Sequence, residues 1–194
     1  YSPGFGGLFA GNPDLDPESS TSAELGLRWS HPGAGTLSAA LYRTEVEDLI
    51  AFNGEEFQAI NIDEARLKGI ELDYSWSRAN WLIGANATFQ QAEDRLTGEP
   101  LLRRPEEKAS LALDRTFDNG SWLGLEWLYV GDRQDFGGIE LSSYQLFNLR
   151  AGWQFLPAWR AELRGDNLAD ETYEPAYGFN AAGRSWFISL AWMP

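Results

Sequence analysis

The feature that most constrains the fold of this chain is a strict alternation of apolar and polar residues. Within 143–155, for example, the odd positions from Phe147 to Phe155 are apolar, whereas the even positions include Asn148, Arg150 and Gln154. A period of two is typical of a β-strand with one apolar face, and no long stretch shows a helical period. The pattern predicts nine strands, at about 21–31, 36–49, 66–77, 81–92, 107–117, 121–131, 143–155, 159–167 and 184–193.

The connections between these strands alternate between short and long. The short turns contain HPGAG, RAN, DNG and LPA, and the long segments cover about 50–65, 93–106, 132–142 and 168–183. An antiparallel meander with this pattern places all short turns at one end, as outer-membrane barrels do. The expected fold class is therefore all-β: an antiparallel transmembrane β-barrel portion of about nine strands. A soluble β-barrel has the same alternation but no reason to segregate its loops.

Aromatic residues cluster near the predicted short turns. The chain has nine tryptophans, and 14% of its residues are aromatic. Indole rings favour the membrane–water interface, where the ring body is apolar and the N–H stays hydrated. We therefore expect a belt of membrane-interface aromatics at the short-turn end, formed by Trp29, Trp76, Trp81, Phe155, Trp159 and Trp192. The competing interpretation is a soluble all-β carbohydrate-binding module or glycosidase, which would gather its tryptophans into one groove.

Charge and composition argue against several other functions. The chain has 194 residues and a formal net charge of −14, which disfavours a nucleic-acid-binding surface. It has no cysteine, and no apolar run is long enough for a transmembrane helix. His31 is the single histidine and has no nucleophile or ligand partner nearby in sequence, and the loop carboxylates show no Asp-x-Asp-x-Asp spacing. We therefore expect no catalytic residue, no metal ligand and no cofactor.

Four motifs occur in order along the chain. GNPDLDPESS lies at 11–20, RLKGIELD at 66–73, NLADETY at 167–173 and GRSWFISLAW at 183–192. The first resembles the Asn-Pro-x-Leu-x-Pro-Glu loop motif of TonB-dependent outer-membrane receptors, and the second resembles the Gly-x-Glu strand start of that family. The third and fourth resemble the family's Asn-Leu-x-Asp-x-x-Tyr motif and the Gly-Arg opening of its final strand. On these motifs the chain is identified as a member of the family.

The resemblance implies a bacterial outer-membrane location and a 22-stranded barrel plugged by an N-terminal domain, with uptake energised by TonB. Residues 1–20 are then the end of a preceding strand and an extracellular loop, and residues 21–194 are the C-terminal part of the barrel. The implied partners are outer-membrane lipid, the plug domain, the remaining barrel strands, TonB through the plug, and the cargo, with no nucleic acid. Family members usually end on an aromatic residue, whereas this sequence ends on Pro194, after Trp192.

The cargo is suggested by two further segments. PLLRRPEEK at 100–108 and YGFNAAGRSW at 177–186 look most like the vitamin B12 receptor branch of the family. That resemblance implies ligand contacts from Arg103, Phe136 and Phe179, with Phe179 standing where the branch has a tyrosine. Aromatic rings and a guanidinium suit a large, flat, partly polar ligand. The expected function is uptake of a large, scarce nutrient, with cobalamin as the preferred cargo and a ferric siderophore as the alternative.

Overall fold

The computed structural model describes the backbone of residues 12–53 and 58–192, which is predominantly β-strand. The strands are β1 (Ser19–His31), β2 (Gly35–Asn53), β3 (Gln58–Arg78), β4 (Trp81–Asp94), β5 (Glu107–Thr116), β6 (Trp122–Val130), β7 (Arg133–Asp135), β8 (Ile139–Leu141), β9 (Tyr144–Leu156), β10 (Trp159–Asp166) and β11 (Ser185–Trp192). A short 3-10 turn, Phe136–Gly138, links β7 to β8. In the described part of the chain, no helix is long and apolar enough to cross a membrane.

Nine of these strands form one antiparallel sheet in the order β1-β2-β3-β4-β5-β6-β9-β10-β11. The other two, β7 and β8, pair only with each other and form a separate ribbon between β6 and β9. Because successive strands of the sheet are antiparallel neighbours, the connections 32–34, 79–80, 117–121 and 157–158 lie at one end of the sheet. The other connections, which include the three longest, lie at the opposite end. The predicted antiparallel meander with segregated loops is confirmed.

Two segments differ from the sequence-based expectation. The long connection expected at 50–65 is mostly strand, because β2 and β3 continue to pair from Leu49–Ile62 as far as Asn53–Gln58. The sequence Asn53-Gly54, a pair typical of hairpin turns, was the available signal. The segment 132–142 contains the two ribbon strands, each of three residues, which is too short to leave a readable period.

The two faces of the sheet differ in chemistry. On one face the apolar side chains are open: Ile188 is 82% exposed and Leu25 is 73% exposed. The buried apolar residues of the described chain are small in number: Ala65, Ala92, Val130, Leu141 and Leu146. A sheet whose apolar face is left uncovered by its own side chains needs apolar surroundings, as the outer face of a membrane barrel does.

The opposite face is polar and internally paired. Arg150 donates to both carboxylate oxygens of Asp114, at 2.9 and 3.1 Å, across the intervening strand β6. Gly124 of β6 makes this crossing possible, because a Cβ at that position would lie 2.5 Å from the Asp114 carboxylate and 2.7 Å from the Arg150 Nε. Asn148 likewise donates to the Glu126 carboxylate at 2.8 Å. This face is a wall of polar groups that are tied across neighbouring strands, in keeping with the predicted lumen side.

The segment before β1 is fastened to the extended β2–β3 hairpin. Asn12 Nδ2 donates to the Ala59 carbonyl at 3.0 Å, and the Glu18 carboxylate accepts the backbone N–H of Ile50 at 2.7 Å. The NPDLDPE motif therefore holds the chain against the hairpin. The predicted preceding strand falls largely on residues 1–11, and the chain terminus on residues 193–194; both lie outside the described residues.

Candidate ligand-binding site

Three long connections share the end of the sheet opposite the short turns. They are the β4–β5 loop (95–106), the β6–β9 loop (131–143), which contains the β7–β8 ribbon, and the β10–β11 loop (167–184). The first two are joined by a backbone hydrogen bond, in which the N–H of Arg103 donates to the carbonyl of Gln134 at 2.8 Å. The predicted ligand residues are distributed over these loops, with one residue on each.

A buried carboxylate, Asp135, joins all three loops. Its side chain is closed to solvent, with 0% of the residue exposed. Its Oδ1 accepts from the Nε of Arg103 at 2.9 Å and from the backbone N–H of Phe136 at 2.8 Å. Its Oδ2 accepts from the backbone N–H of Tyr177 at 2.7 Å. These donors satisfy a charge that would otherwise be costly to bury, so Asp135 holds the loops in one arrangement.

The ionisation of Asp135 follows from the same contacts. Burial acts to raise its pKa, because a low-dielectric environment disfavours the charged form. The backbone N–H groups of Tyr177 and Phe136, together with the Arg103 guanidinium, stabilise the carboxylate by more, and the pKa of Asp135 therefore lies below its ordinary value. The carboxylate is charged at neutral pH, where all of its contacts to the three loops are present.

Two predicted ligand residues, Arg103 and Phe136, are brought together at this point. The Cζ of Arg103 lies 5.1 Å from the centroid of the Phe136 ring, within the range of a cation–π contact. Arg103 has a φ of +58°, a left-handed conformation that is uncommon outside glycine. Its side chain is 45% exposed, so part of the guanidinium stays open beside the ring. The pair presents a cationic and aromatic surface at the loop end of the sheet.

The third predicted ligand residue, Phe179, lies on the β10–β11 loop and is 69% exposed. Its backbone N–H donates to the carbonyl of Ala176 at 3.0 Å, which forms a tight turn through Gly178, where φ is +78°. Tyr177, in the same turn, is 59% exposed while its backbone is held by Asp135. The loop therefore displays two neighbouring rings. Sequence analysis missed Tyr177, for which the only signal was its place beside Phe179.

A second cluster, formed by Arg133, Tyr144 and Tyr173, fixes the base of the loops. The guanidinium of the buried Arg133 donates to the carbonyl of Glu174, and its Cζ lies 5.3 Å from the Tyr144 ring. The Tyr144 and Tyr173 rings are stacked with their centroids 4.2 Å apart. Sequence analysis also missed this cluster and Asp135, because residues that meet only through the fold leave no local pattern.

The NLADETY motif closes the base of the β10–β11 loop. Asn167 is 4% exposed, and its side chain both donates to the carbonyl and accepts from the N–H of Glu171, each at 2.8 Å. Asp170 accepts the backbone N–H of Arg184 at 2.8 Å, which links this motif to the GRSW segment before β11. The motif therefore needs an amide at Asn167, which both donates and accepts, and a carboxylate at Asp170, which accepts.

An apolar cavity of about 440 Å³ lies beside the Arg103–Phe136 pair. Its apolar lining comes from the β2–β3 hairpin and the β4–β5 loop: Leu49, Ile50, Ile60, Leu101 and Leu102. Cavities that bind small molecules are of this order, roughly 300–1,000 Å³, so a larger ligand would place only a part of itself here. Among residues 12–53 and 58–192, no group of three or more histidines or carboxylates is arranged to hold a metal ion.

The six predicted interface aromatics all lie at the short-turn end of the sheet. Trp76 Nε1 donates to the Gly33 carbonyl of the β1–β2 turn at 3.1 Å. Trp159 and Trp192 face each other across β10 and β11, with ring centroids 6.3 Å apart. The others, at the corresponding ends of their strands, are Trp29, Trp81 and Phe155. Their contact with lipid stays a prediction.

A meander with segregated loops, one open apolar face and one ion-paired polar face defines the class: part of an outer-membrane β-barrel. A family model described as "TonB dependent receptor-like, beta-barrel" matches residues 1–168, and the chain belongs to this family. The predicted membrane-barrel fold class and the bacterial outer-membrane location are thereby confirmed. The family is one of receptors and transporters, not of enzymes.

The chain is similar to individual transporters and import receptors. The chain is 29% identical over 190 residues to the vitamin B12 transporter BtuB of Vibrio vulnificus (strain YJ016), covering 93% of this chain and 31% of that protein. It resembles the ferric-catecholate import receptor Fiu of E. coli K12 (TM-score 0.75, 20% identity, 94% of this chain and 28% of that one). It also resembles the copper transporter OprC (TM-score 0.76, 18% identity, 94% and 33%). The chain thus spans about a third of these proteins' length.

Proposed function

We propose that this chain is the C-terminal barrel portion of a receptor that takes up vitamin B12, or cobalamin, across the outer membrane with energy supplied through TonB. The observation that carries the proposal is its similarity to a vitamin B12 transporter along 93% of its length. The side chains at the loop end of the sheet support the proposal.

The loop site combines three properties that suit a large, flat, partly polar ligand. Arg103 offers a half-exposed guanidinium for charge-assisted hydrogen bonds. Tyr177 and Phe179 offer exposed rings for stacking on a planar group. Because Asp135 fixes the backbone of Tyr177 and the side chain of Arg103, these groups are held in place before a ligand arrives, which lowers the entropic cost of binding.

The sheet itself is suited to be one part of a closed barrel. Among the described strands, β1 and β11 each pair along one side only. An open sheet edge in hydrocarbon leaves backbone groups without partners, which costs several kcal/mol per group. We propose that further strands of a longer polypeptide pair with both edges, and that the ion-paired polar face meets a plug domain through which TonB acts.

A ferric siderophore is the second candidate cargo. Structural neighbours with TM-scores of 0.75 and 0.76 are a ferric-catecholate receptor and the pyoverdine receptor FpvA of P. aeruginosa. At 20% identity the likeness shows a shared fold. The cargo named for each neighbour is a property of that neighbour. The half-exposed Arg103 would also suit an anionic chelate.

The two cargoes are separated by equilibrium binding to the full-length receptor in detergent. We expect cyanocobalamin to bind and ferric catecholate and ferric pyoverdine to leave it undisplaced. A receptor that binds a ferric siderophore and not cyanocobalamin would transfer the function to the second candidate. Binding of neither would contradict both.

A matched pair of variants tests whether the loop site carries the binding. Phe179→Ala removes an exposed ring of the β10–β11 loop and should weaken cyanocobalamin binding about tenfold, since one well-placed aromatic contributes on the order of 1–2 kcal/mol. Leu96→Ala removes a 68% exposed apolar side chain from the β4–β5 loop, outside the proposed site, and should leave binding unchanged. Equal losses in both variants would argue against the proposed site.

A further inference from the structure

Two arginines flank Trp81 on the apolar face of the sheet, close to the short turns. Arg78 lies directly opposite Trp81 in the β3–β4 pair, and Trp81 lies directly opposite Arg115 in the β4–β5 pair. Directly opposed residues of neighbouring strands point to the same face. Arg78, Trp81 and Arg115 therefore form one lateral row, which we call the arginine row.

Aromatic rings fix one end of the arginine row. The Cζ of Arg115 lies 4.7 Å from the centroid of the Trp81 ring and 4.9 Å from that of Phe117. Contact with two rings orients the guanidinium and leaves its N–H groups free to donate at the rim of the rings. Cation–π contact does not neutralise the charge, so Arg115 still attracts an anion.

No carboxylate neutralises either arginine within the described residues. The ion pairs of this part of the chain include neither Arg78 nor Arg115, although the chain carries a net charge of −14. The two acids that flank Arg115 in sequence have other partners: Asp118 accepts from Asn80 at 3.0 Å, and Asp114 pairs with Arg150 on the polar face. Both arginines are exposed. The row is a positive site without an ion-pair partner among the described residues, at the short-turn end of the apolar face.

We propose that the arginine row binds the phosphate of an anionic glycerophospholipid, of the phosphatidylglycerol class, in the leaflet that borders the short turns. The inference rests on the proposed membrane placement of the sheet. Arg78 and Arg115 are two strand spacings apart, about 10 Å, so their long side chains can converge on one headgroup above Trp81. Guanidinium groups match phosphate geometry, and an indole at the interface packs against the glycerol and upper acyl region.

The test uses the full-length receptor reconstituted in vesicles of phosphatidylcholine and phosphatidylglycerol, with one or the other lipid carrying bromine in its acyl chains. Bromine quenches tryptophan fluorescence on contact, so the quenching by each lipid reports its share of the boundary around the receptor. We expect phosphatidylglycerol to be preferred over phosphatidylcholine. The preference should fall roughly fivefold for each arginine in the variants Arg78→Gln and Arg115→Gln.

Matched variants separate this site from general charge effects. Arg28→Gln removes the same charge from the polar face and should leave the lipid preference unchanged. Arg115→Lys keeps the charge but loses the planar fork, and should keep only part of the preference. Equal quenching by the two lipids would overturn the proposal. So would a loss of lipid preference in Arg28→Gln as large as that in Arg78→Gln or Arg115→Gln. A lipid preference in a receptor that binds neither cobalamin nor a siderophore would support this site while contradicting the proposed function.

Discussion

The two ends of the sheet are held by different forces. At the short-turn end, connections of a few residues leave little to organise, and strand register with aromatic packing suffices. At the loop end, three connections of more than ten residues are organised by buried polar groups, above all Asp135 and Asn167. At the short-turn end the long-range contacts are made mainly by strand ends and aromatic rings, whereas at the loop end they are made by buried polar side chains.

This difference between the two ends indicates which of them can carry a ligand-binding site. The short turns have two to five residues each and offer few side chains from which a binding site can be built. The loops converge on one carboxylate, so a change in one loop is felt by the others through Asp135. We therefore expect variants at the loop end to change ligand binding and loop order together, and variants at the short-turn end to have small and local effects.

The largest effect is expected from Asp135→Ala. It leaves the backbone N–H groups of Phe136 and Tyr177 and the guanidinium of Arg103 without their acceptor, which should cost the loop arrangement about 3 kcal/mol. Hydrogen exchange of the full-length receptor should show faster exchange in all three loops and unchanged exchange in the sheet. Faster exchange in the β6–β9 loop alone would contradict the joint role of Asp135.

A smaller effect is expected from Asn167→Ala, which removes two hydrogen bonds to the backbone of Glu171 and should cost about 2 kcal/mol. Exchange should rise in the β10–β11 loop only, because Asn167 closes that loop and no other. Asn86→Ala is the matched control, since Asn86 is an exposed amide whose contact is a hydrogen bond to Ser110 at 2.7 Å. The comparison would fail if both variants loosened the β10–β11 loop equally.

Acid pH should loosen the loops without any substitution. Because the pKa of Asp135 in the folded protein lies below its ordinary value, the stabilisation is fully present above the unfolded-state pKa. It is lost as the pH falls through the folded-state pKa. Protection of the Tyr177 N–H, measured at neutral and at strongly acidic pH, should drop in the wild type and stay constant in Asp135→Asn. A rise in protection at low pH would reverse the assigned sign.

The smallest effect is expected at the short-turn end. Trp76→Phe removes the hydrogen bond from the indole N–H to the Gly33 carbonyl and should cost no more than about 1 kcal/mol. Thermal unfolding of the full-length receptor measures it, with Trp29→Phe as control, since no hydrogen bond from the Trp29 indole occurs within the described residues. A loss in Trp76→Phe as large as that in Asp135→Ala would erase the contrast between the two ends.

The strands and their order could be predicted because the alternation of apolar and polar residues is a local signal that each strand carries in its own sequence. The extension of β2 and β3 was missed because the run from Leu49 to Phe52 is apolar at every position and shows no alternation. Arg103 and Phe136 were found through resemblance to a family. Asp135 was not found, because one carboxylate among 29 acidic residues carries no mark of burial until the fold brings Arg103 and Tyr177 to it.

The β7–β8 ribbon has a consequence for variation in this protein. Strands β6 and β9 pair with each other directly up to Val130 and Tyr144, so the ribbon inserts between two residues that are already aligned by the sheet. Its tip carries Gly137 and Gly138, both with positive φ. A segment of different length can therefore be grafted between the same two anchor residues while the wall beneath it keeps its register. The graft has to retain Arg133 and Asp135, because these buried residues of the ribbon hold the neighbouring loops.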